Sequence, residues 1–244
     1  MVDIAENLEK LDTAIRDACR RAGRRREDVE LMAVSKTYPA ATIAEAASLG
    51  LALFGENRVQ EFAGKAPELD PLRSRAESPI RIHLLGHLQS NKTAKAVELF
   101  DGIDSLDSLR LARRVDEAAQ RLGKRLPVLI EVKLSPEETK EGLEPESRDA
   151  AELLESLADL HAIECCGLMT IAPWGAEEAV TRACFRSLRE WRDRWAAKYP
   201  KLTFDVLSMG MSGDFPLAIE EGATRIRVGT AIFGKRLPWM GGES

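Results

Sequence analysis

Short apolar runs that alternate with helix-periodic stretches restrict this sequence more than any other feature. Eight such runs read as strands: Val29–Ser35, Leu51–Phe54, Ile80–Leu85, Ile103–Ser105, Pro127–Val132, Ala162–Leu168, Thr203–Leu207 and Thr224–Val228. They lack the strict apolar/polar alternation of a half-exposed sheet, so they read as parallel strands covered by helices. A leading helix is marked by Ile4, Leu8, Leu11, Ile15 and Cys19, at steps of four and three, with Gly23 as its stop. Another follows the first strand from about Ala41 to Ser48. Leu106, Leu109, Ala112, Val115, Ala119 and Leu122 form one further helical face, and Val180, Cys184, Leu188, Trp191 and Trp195 form a second. The two tryptophans read as core filler. Arg24-Arg25-Arg26 reads as a solvated loop, and Ala66–Ser78, which holds Pro67 and Pro71, as a polar loop.

Eight strand–helix units in 244 residues match the size of an α/β (β/α)8 barrel of the TIM type, here with an extra N-terminal helix. Length alone also admits two small domains. No Pro/Gly/Ser-rich linker divides the chain, so one domain over residues 1–244 is expected. An open doubly wound sheet is the alternative, but no GxGxxG follows the first strand.

Charge and cysteine usage exclude other classes. A net charge of −5 lacks the basic stripe of a nucleic-acid binder. No apolar run approaches the roughly 18–20 residues of a membrane span. The polar, acidic start of the chain does not read as a signal peptide. Cys19, Cys165, Cys166 and Cys184 have no CxxC spacing and do not pair with His83, His87 or His161 as zinc ligands. They read as reduced, mostly core residues of a cytoplasmic protein.

In a parallel barrel the chemistry gathers where strands end. Lys36 follows the first strand, Glu56-Asn57-Arg58 the second, and His87 with Gln89–Lys92 the third. Lys133, Met169-Thr170, Ser208–Gly213 and Gly229-Thr230 follow later ones. Lys36 ends a largely apolar run, so its amine should sit at a covered mouth. Burial disfavours the ammonium, and a neutral amine attacks aldehydes. The alternative is a lysine that snorkels to water. Ser208-Met209-Gly210-Met211-Ser212 and Gly229-Thr230 fall after the last two strands, where such barrels often bind phosphate through backbone N–H groups and hydroxyls. Read alone, these are also two tight capped turns. A phosphate pocket facing a barrel lysine suits pyridoxal 5′-phosphate (PLP).

Six stretches, in order, carry a resemblance over nearly the whole chain. They are Ala33–Thr37, Gly55–Glu61, His83–Lys92, Gly167–Pro173, Leu207–Asp214 and Arg227–Gly234. In these the chain resembles the YggS/PROSC family of PLP-binding, PLP homeostasis proteins. The resemblance implies a barrel like the N-terminal domain of alanine racemase, with PLP held as a covalent aldimine on Lys36. Ser208, Gly229 and Thr230 would bind the phosphate, together with backbone around Met209, Gly210, Met211 and Ser212. Arg227 would face the pyridine nitrogen, Asn57 would lie near the ring and Met169 would pack beside it. The Gly86–Lys92 turn would border the pocket. The sequence departs from the family at Lys133, where many relatives have Asn, and at Glu138–Gly142, which carries an extra acidic residue.

A cation beside the ring nitrogen keeps that nitrogen neutral and weakens carbanion stabilisation. Racemases of the resembling type add a second base, a tyrosine supplied by a β domain. Here ten residues follow Gly234, too few for that domain, and the only tyrosines are Tyr38 and Tyr199. The first reading is therefore a PLP homeostasis protein, not primarily an enzyme, that holds the cofactor reversibly as a Schiff base and passes it to apo PLP-enzymes. The second is an amino-acid racemase or other weak PLP enzyme. A third is a sugar-phosphate barrel that uses Lys36 as an aldolase-type base. The resemblance implies a monomer.

Overall fold

The structure is a computed structural model, and it describes residues 2–75, 79–135 and 141–234. Eight parallel strands close into a barrel in sequence order. They are β1 (Glu30–Val34), β2 (Leu53–Glu56), β3 (Arg81–Leu84), β4 (Gly102–Leu106), β5 (Leu126–Glu131), β6 (Ile163–Met169), β7 (Val206–Ser208) and β8 (Arg225–Val228). Closure pairs β8 with β1, with Met32 opposite Arg227 and Ala33 opposite Val228. The helices are α1 (Ile4–Arg21), α2 (Ala40–Ser48), α3 (Val59–Arg73), α4 (Thr93–Leu99), α5 (Leu109–Arg121), α6 (Arg148–Leu157), α7 (Glu178–Lys198), α8 (Phe215–Glu220) and α9 (Thr230–Phe233). The expected (β/α)8 barrel with its leading helix is what the chain forms.

Local sequence sets the helix starts. Asp3, Ser108 and Ser147 each accept a backbone N–H of the first turn, at Glu6, Leu111 and Ala150. The apolar stripe of α1 packs on α8 and α9. Trp195 is buried and tilts against Phe204, while Trp191 is half-buried. Cys19, Cys165 and Cys184 are buried, Cys166 is half-buried, and none of the four is in a disulfide.

Several expectations are corrected. Residues 66–73 are not loop: α3 runs through Pro67 and Pro71 to Arg73, while residues 76–78 lie outside the described residues. Both prolines are on the exposed side, where the carbonyls they leave unpaired can turn to water. Phe62, Ala66 and Leu69 bury the other side, and Phe62 packs on Phe100 at 4.9 Å. That burial outweighs the two missing hydrogen bonds. Within the Arg24–Arg26 run Arg25 is exposed as expected, but Arg24 and Arg26 are half-buried. Arg24 donates to the carbonyls of Ile219, Ala223 and Asp28, and Arg26 binds Asp12 and the Val29 carbonyl, so the run fastens α1 to the β8 approach. Leu106 ends β4 and does not begin α5. Gly55 and Glu56 belong to β2, because their pairing with His83 and Leu84 of β3 extends the ladder beyond the apolar run.

The barrel interior is partly ionic. Arg225 on β8 binds Glu30 on β1 and Asp104 on β4, and Asp104 binds His83 on β3 at 2.8 Å. Strands β4 and β8 are opposite in the closed order, so the Arg225–Asp104 bond crosses the interior. Gly102 leaves room for the His83 ring, since a Cβ there would stand 2.4 Å from it. Such buried charges persist because each has a partner.

Candidate functional site at the barrel mouth

The strand ends bring distant residues to one rim. Lys36 lies two residues beyond β1 and is half-buried. Thr37 follows with φ 69°, the one non-glycine residue in the left-handed region among the described residues. Asn57 directly follows β2, Met169 ends β6, and Ser208 ends β7.

The β7–α8 turn is shaped by Gly210. Its φ is 92°, and a Cβ there would come within 2.6 Å of the Ala218 side chain. The Gly210 carbonyl accepts from Arg227 N–H, and Met209 N–H donates to the Arg225 carbonyl, which locks the turn against β8. Asp214 caps the turn by accepting from Met211 N–H, and burial raises its pKa. At the next strand end, Gly229 and Ala231 direct their N–H groups at the Ser212 hydroxyl, at 3.3 and 3.4 Å. Gly229, just after β8, also lies close against β1: a Cβ there would lie 3.1 Å from the Val34 carbonyl. Thr230 is exposed beside it.

Below this rim the Arg227 guanidinium is buried. It donates to Ser208 Oγ at 2.9 Å and to the Thr170 carbonyl at 2.7 Å. Ser208 keeps its own proton for donation. Burial lowers the Arg227 pKa, and the carboxylates of Asp104, Glu131 and Asp214 oppose that. Glu131, the last residue of β5, is 7% exposed. Burial pushes it up to about 7 against the attraction of Arg227, with Asp107 and Glu141 adding repulsion.

A cavity of about 250 Å³ opens here between the ends of β2, β3 and β5. Asn57, Gly86, His87, Glu131, Lys133 and Ile171 are among its walls. Gly86 is obligatory, since a Cβ would overlap the Asn57 carbonyl at 2.1 Å. His87 Nδ1 lies 3.1 Å from Asp107 Oδ2. Tyr38, on the Lys36 loop, donates to the Gly234 carbonyl and packs on Phe233. Most of the Glu138–Gly142 departure lies outside the described residues.

Thus Lys36, Asn57, Met169, the Ser208–Ser212 turn, Arg227, Gly229 and Thr230 all fall at the C-terminal end of the barrel. Sequence reasoning placed Thr170 at a strand end without giving it a role, and passed over Glu131 and Asp214. Glu131 carried a usable signal, a lone acid ending an apolar strand. Asp214 had none apart from its neighbours in space, and only the bond from Arg227 gives the Thr170 carbonyl its role.

Comparison with known proteins fits this geometry. The family model for the alanine racemase N-terminal domain matches residues 7–237. The pyridoxal phosphate homeostasis protein of Pseudomonas aeruginosa is 42% identical over 236 residues, covering 97% of each chain. The structure of PipY from Synechococcus elongatus PCC7942 with PLP bound is 44% identical, covers 95% of this chain and all of PipY, and superposes with a TM-score of 0.82. Alanine racemase of Clostridium difficile, at 16% identity and a TM-score of 0.71, shares the fold. The chain belongs to the alanine racemase N-terminal domain family, among its pyridoxal phosphate homeostasis proteins.

Proposed function

We propose that this protein binds PLP reversibly at the barrel mouth, as a Schiff base on Lys36, and so takes part in PLP homeostasis. The observation that carries the reading is the contact of Gly229 with β1. It sets the N–H groups of Gly229 and Ala231 beside the strand end that bears Lys36. An aldehyde-bearing phosphate ester needs an amine and an anion cradle within one small molecule's reach, and these strand ends supply both. The residues fit the cofactor. Gly210 lets the turn after β7 pack closely on α8, the Gly229 and Ala231 N–H groups converge at Ser212, and Ser208, Ser212 and Thr230 add hydroxyls. PLP when bound would supply a carbonyl that amines add to and a ring that withdraws electrons.

The chain's own groups perform the remaining tasks. Lys36 would attack the carbonyl, and the turns after β7 and β8 would hold the phosphate. Arg227, fixed by Ser208 and Thr170, would present a cation to the ring nitrogen. Asn57 and Met169 would flank the ring. The buried cation supports a holder over a strong carbanion catalyst. Tyr38 supports it too, because its hydroxyl proton is committed to the Gly234 carbonyl. In this reading the protein is a cytoplasmic monomer whose recipients are apo PLP-enzymes.

The test is absorbance of the purified protein with PLP, then borohydride reduction and peptide mapping. The expected result is a near-visible band lost on reduction, with the label on Lys36 and none in Lys36→Ala. A protein that stays colourless with added PLP overturns the reading.

A further inference from the structure

The loop that carries Lys36 is gripped by a buried cluster from the next strand–helix unit. Lys65 of α3 is almost wholly buried. Its three N–H groups, one of them shared, serve four acceptors: the Ser35 carbonyl at 3.4 Å, the Tyr38 carbonyl at 3.1 Å, Glu56 Oε1 at 2.9 Å and Glu61 Oε1 at 3.0 Å. Glu61, one turn earlier on α3, accepts the Thr37 N–H. Ser35 Oγ donates to Glu56 at 2.7 Å.

Two of these bonds act on Lys36 itself. The Ser35 carbonyl belongs to the peptide unit before Lys36, and the Thr37 N–H to the unit after it. Holding both units fixes the backbone torsions of Lys36 and hence the direction in which its side chain leaves the rim. The held conformation also has a cost. Thr37 is β-branched at φ 69°, and such strain persists only when the surroundings over-determine it. Its hydroxyl is buried without a hydrogen-bond partner, so the strain is not repaid by the Thr37 side chain. The Glu61 bond to the Thr37 N–H holds it, together with the Tyr38 N–H that donates to the Ser35 carbonyl at 3.1 Å.

We propose that Lys65 and Glu61 are positioning residues that aim Lys36 at the cofactor carbonyl, by pinning the two peptide units on either side of it. The proposal rests on the function proposed above. If the cluster only stabilised the fold, its loss would weaken every kind of binding equally. If it aims Lys36, its loss slows covalent capture and spares binding that needs no lysine.

Two probes separate these cases: PLP, and 4′-deoxypyridoxine 5′-phosphate, which has the ring and phosphate but no carbonyl. The full-length protein is compared with Glu61→Leu, Glu61→Gln and Lys65→Met, and circular dichroism selects the folded variants. Rates come from rapid borohydride quenching and quantification of the label on Lys36. Affinity for the deoxy probe comes from calorimetry. We expect Glu61→Leu or Lys65→Met to slow labelling by about tenfold or more, with deoxy-probe affinity within about twofold of wild type. Glu61→Gln, which still offers Thr37 an amide carbonyl, recovers most of the rate. Wild-type labelling rates in the folded Leu and Met variants overturn the proposal, as does a parallel loss for both probes. If the wild-type protein binds both probes yet gives no label on Lys36, the proposed function fails and the clamp fails with it.

Discussion

Glu131→Gln should reverse a pH-dependent weakness of the fold. Glu131 is buried at the end of β5, and its folded-state pKa of about 7 lies well above the ordinary value of 4.5. Desolvation is the chief cause, outweighing attraction to Arg227. The sign follows from linkage. Below pH 4.5 the group is protonated in both states and has no effect. Between pH 4.5 and 7 the unfolded chain releases a proton that the folded chain keeps, so stability falls as pH rises. Above pH 7 the loss is complete. At about 1.4 kcal/mol for each tenfold in affinity for the proton, the interval corresponds to about 3 kcal/mol. Glutamine has nearly the same shape and no charge to desolvate. Urea denaturation of both proteins from pH 4.5 to 8, analysed at constant m, reads the difference. Above pH 7.5, Glu131→Gln should be the more stable by about 1–3 kcal/mol, and the two should converge near pH 4.5. Parallel stability curves over this range would refute the assignment of a buried, raised carboxyl at this position.

Asp104→Ala should cost about 3–5 kcal/mol in the same assay, because it leaves Arg225 and His83 buried without their shared partner; a loss below about 1 kcal/mol would mean that the cross-barrel bond is solvated. Asp104 is held below its ordinary pKa, burial being outweighed by His83, Arg225 and Arg227, so its contribution should persist above pH 4 and vanish only as pH falls through that lowered value. Gly210→Ala combines a left-handed backbone with a 2.6 Å overlap on Ala218; a drop of about 2 kcal/mol or more is expected, with weakened PLP retention measured by dialysis, and an unchanged melting temperature would show that the turn can relax.

The parts of the fold that were legible in the sequence are those encoded in near neighbours. Strand-length apolar runs and the α1 stripe with its Gly23 stop are local patterns, and alternation of the units was enough to imply the barrel. Lys36 and the two glycine turns were legible for the same reason, since each sits at a strand end that the pattern had already marked. The α3 prolines misled because their local penalty is real; only packing of Phe62 on Phe100 shows why the helix continues. Arg24 misled because two of its acceptors lie at the end of α8 and the approach to β8, about two hundred residues away.

By itself the sequence determined the succession of strands and helices, the end of the barrel where chemistry gathers, and the lysine and glycine turns that stand there. Closure of β8 onto β1 decided the rest. It brought Gly229 against Val34 and carried Arg225 across the interior to Asp104, while the pairing of β1 with β2 placed Lys65 and Glu61 on the two peptide units of Lys36. Periodicity reports which face of an element is apolar. The partner of a buried charge is set by which strands become neighbours or face one another, and that exists only once the barrel has closed.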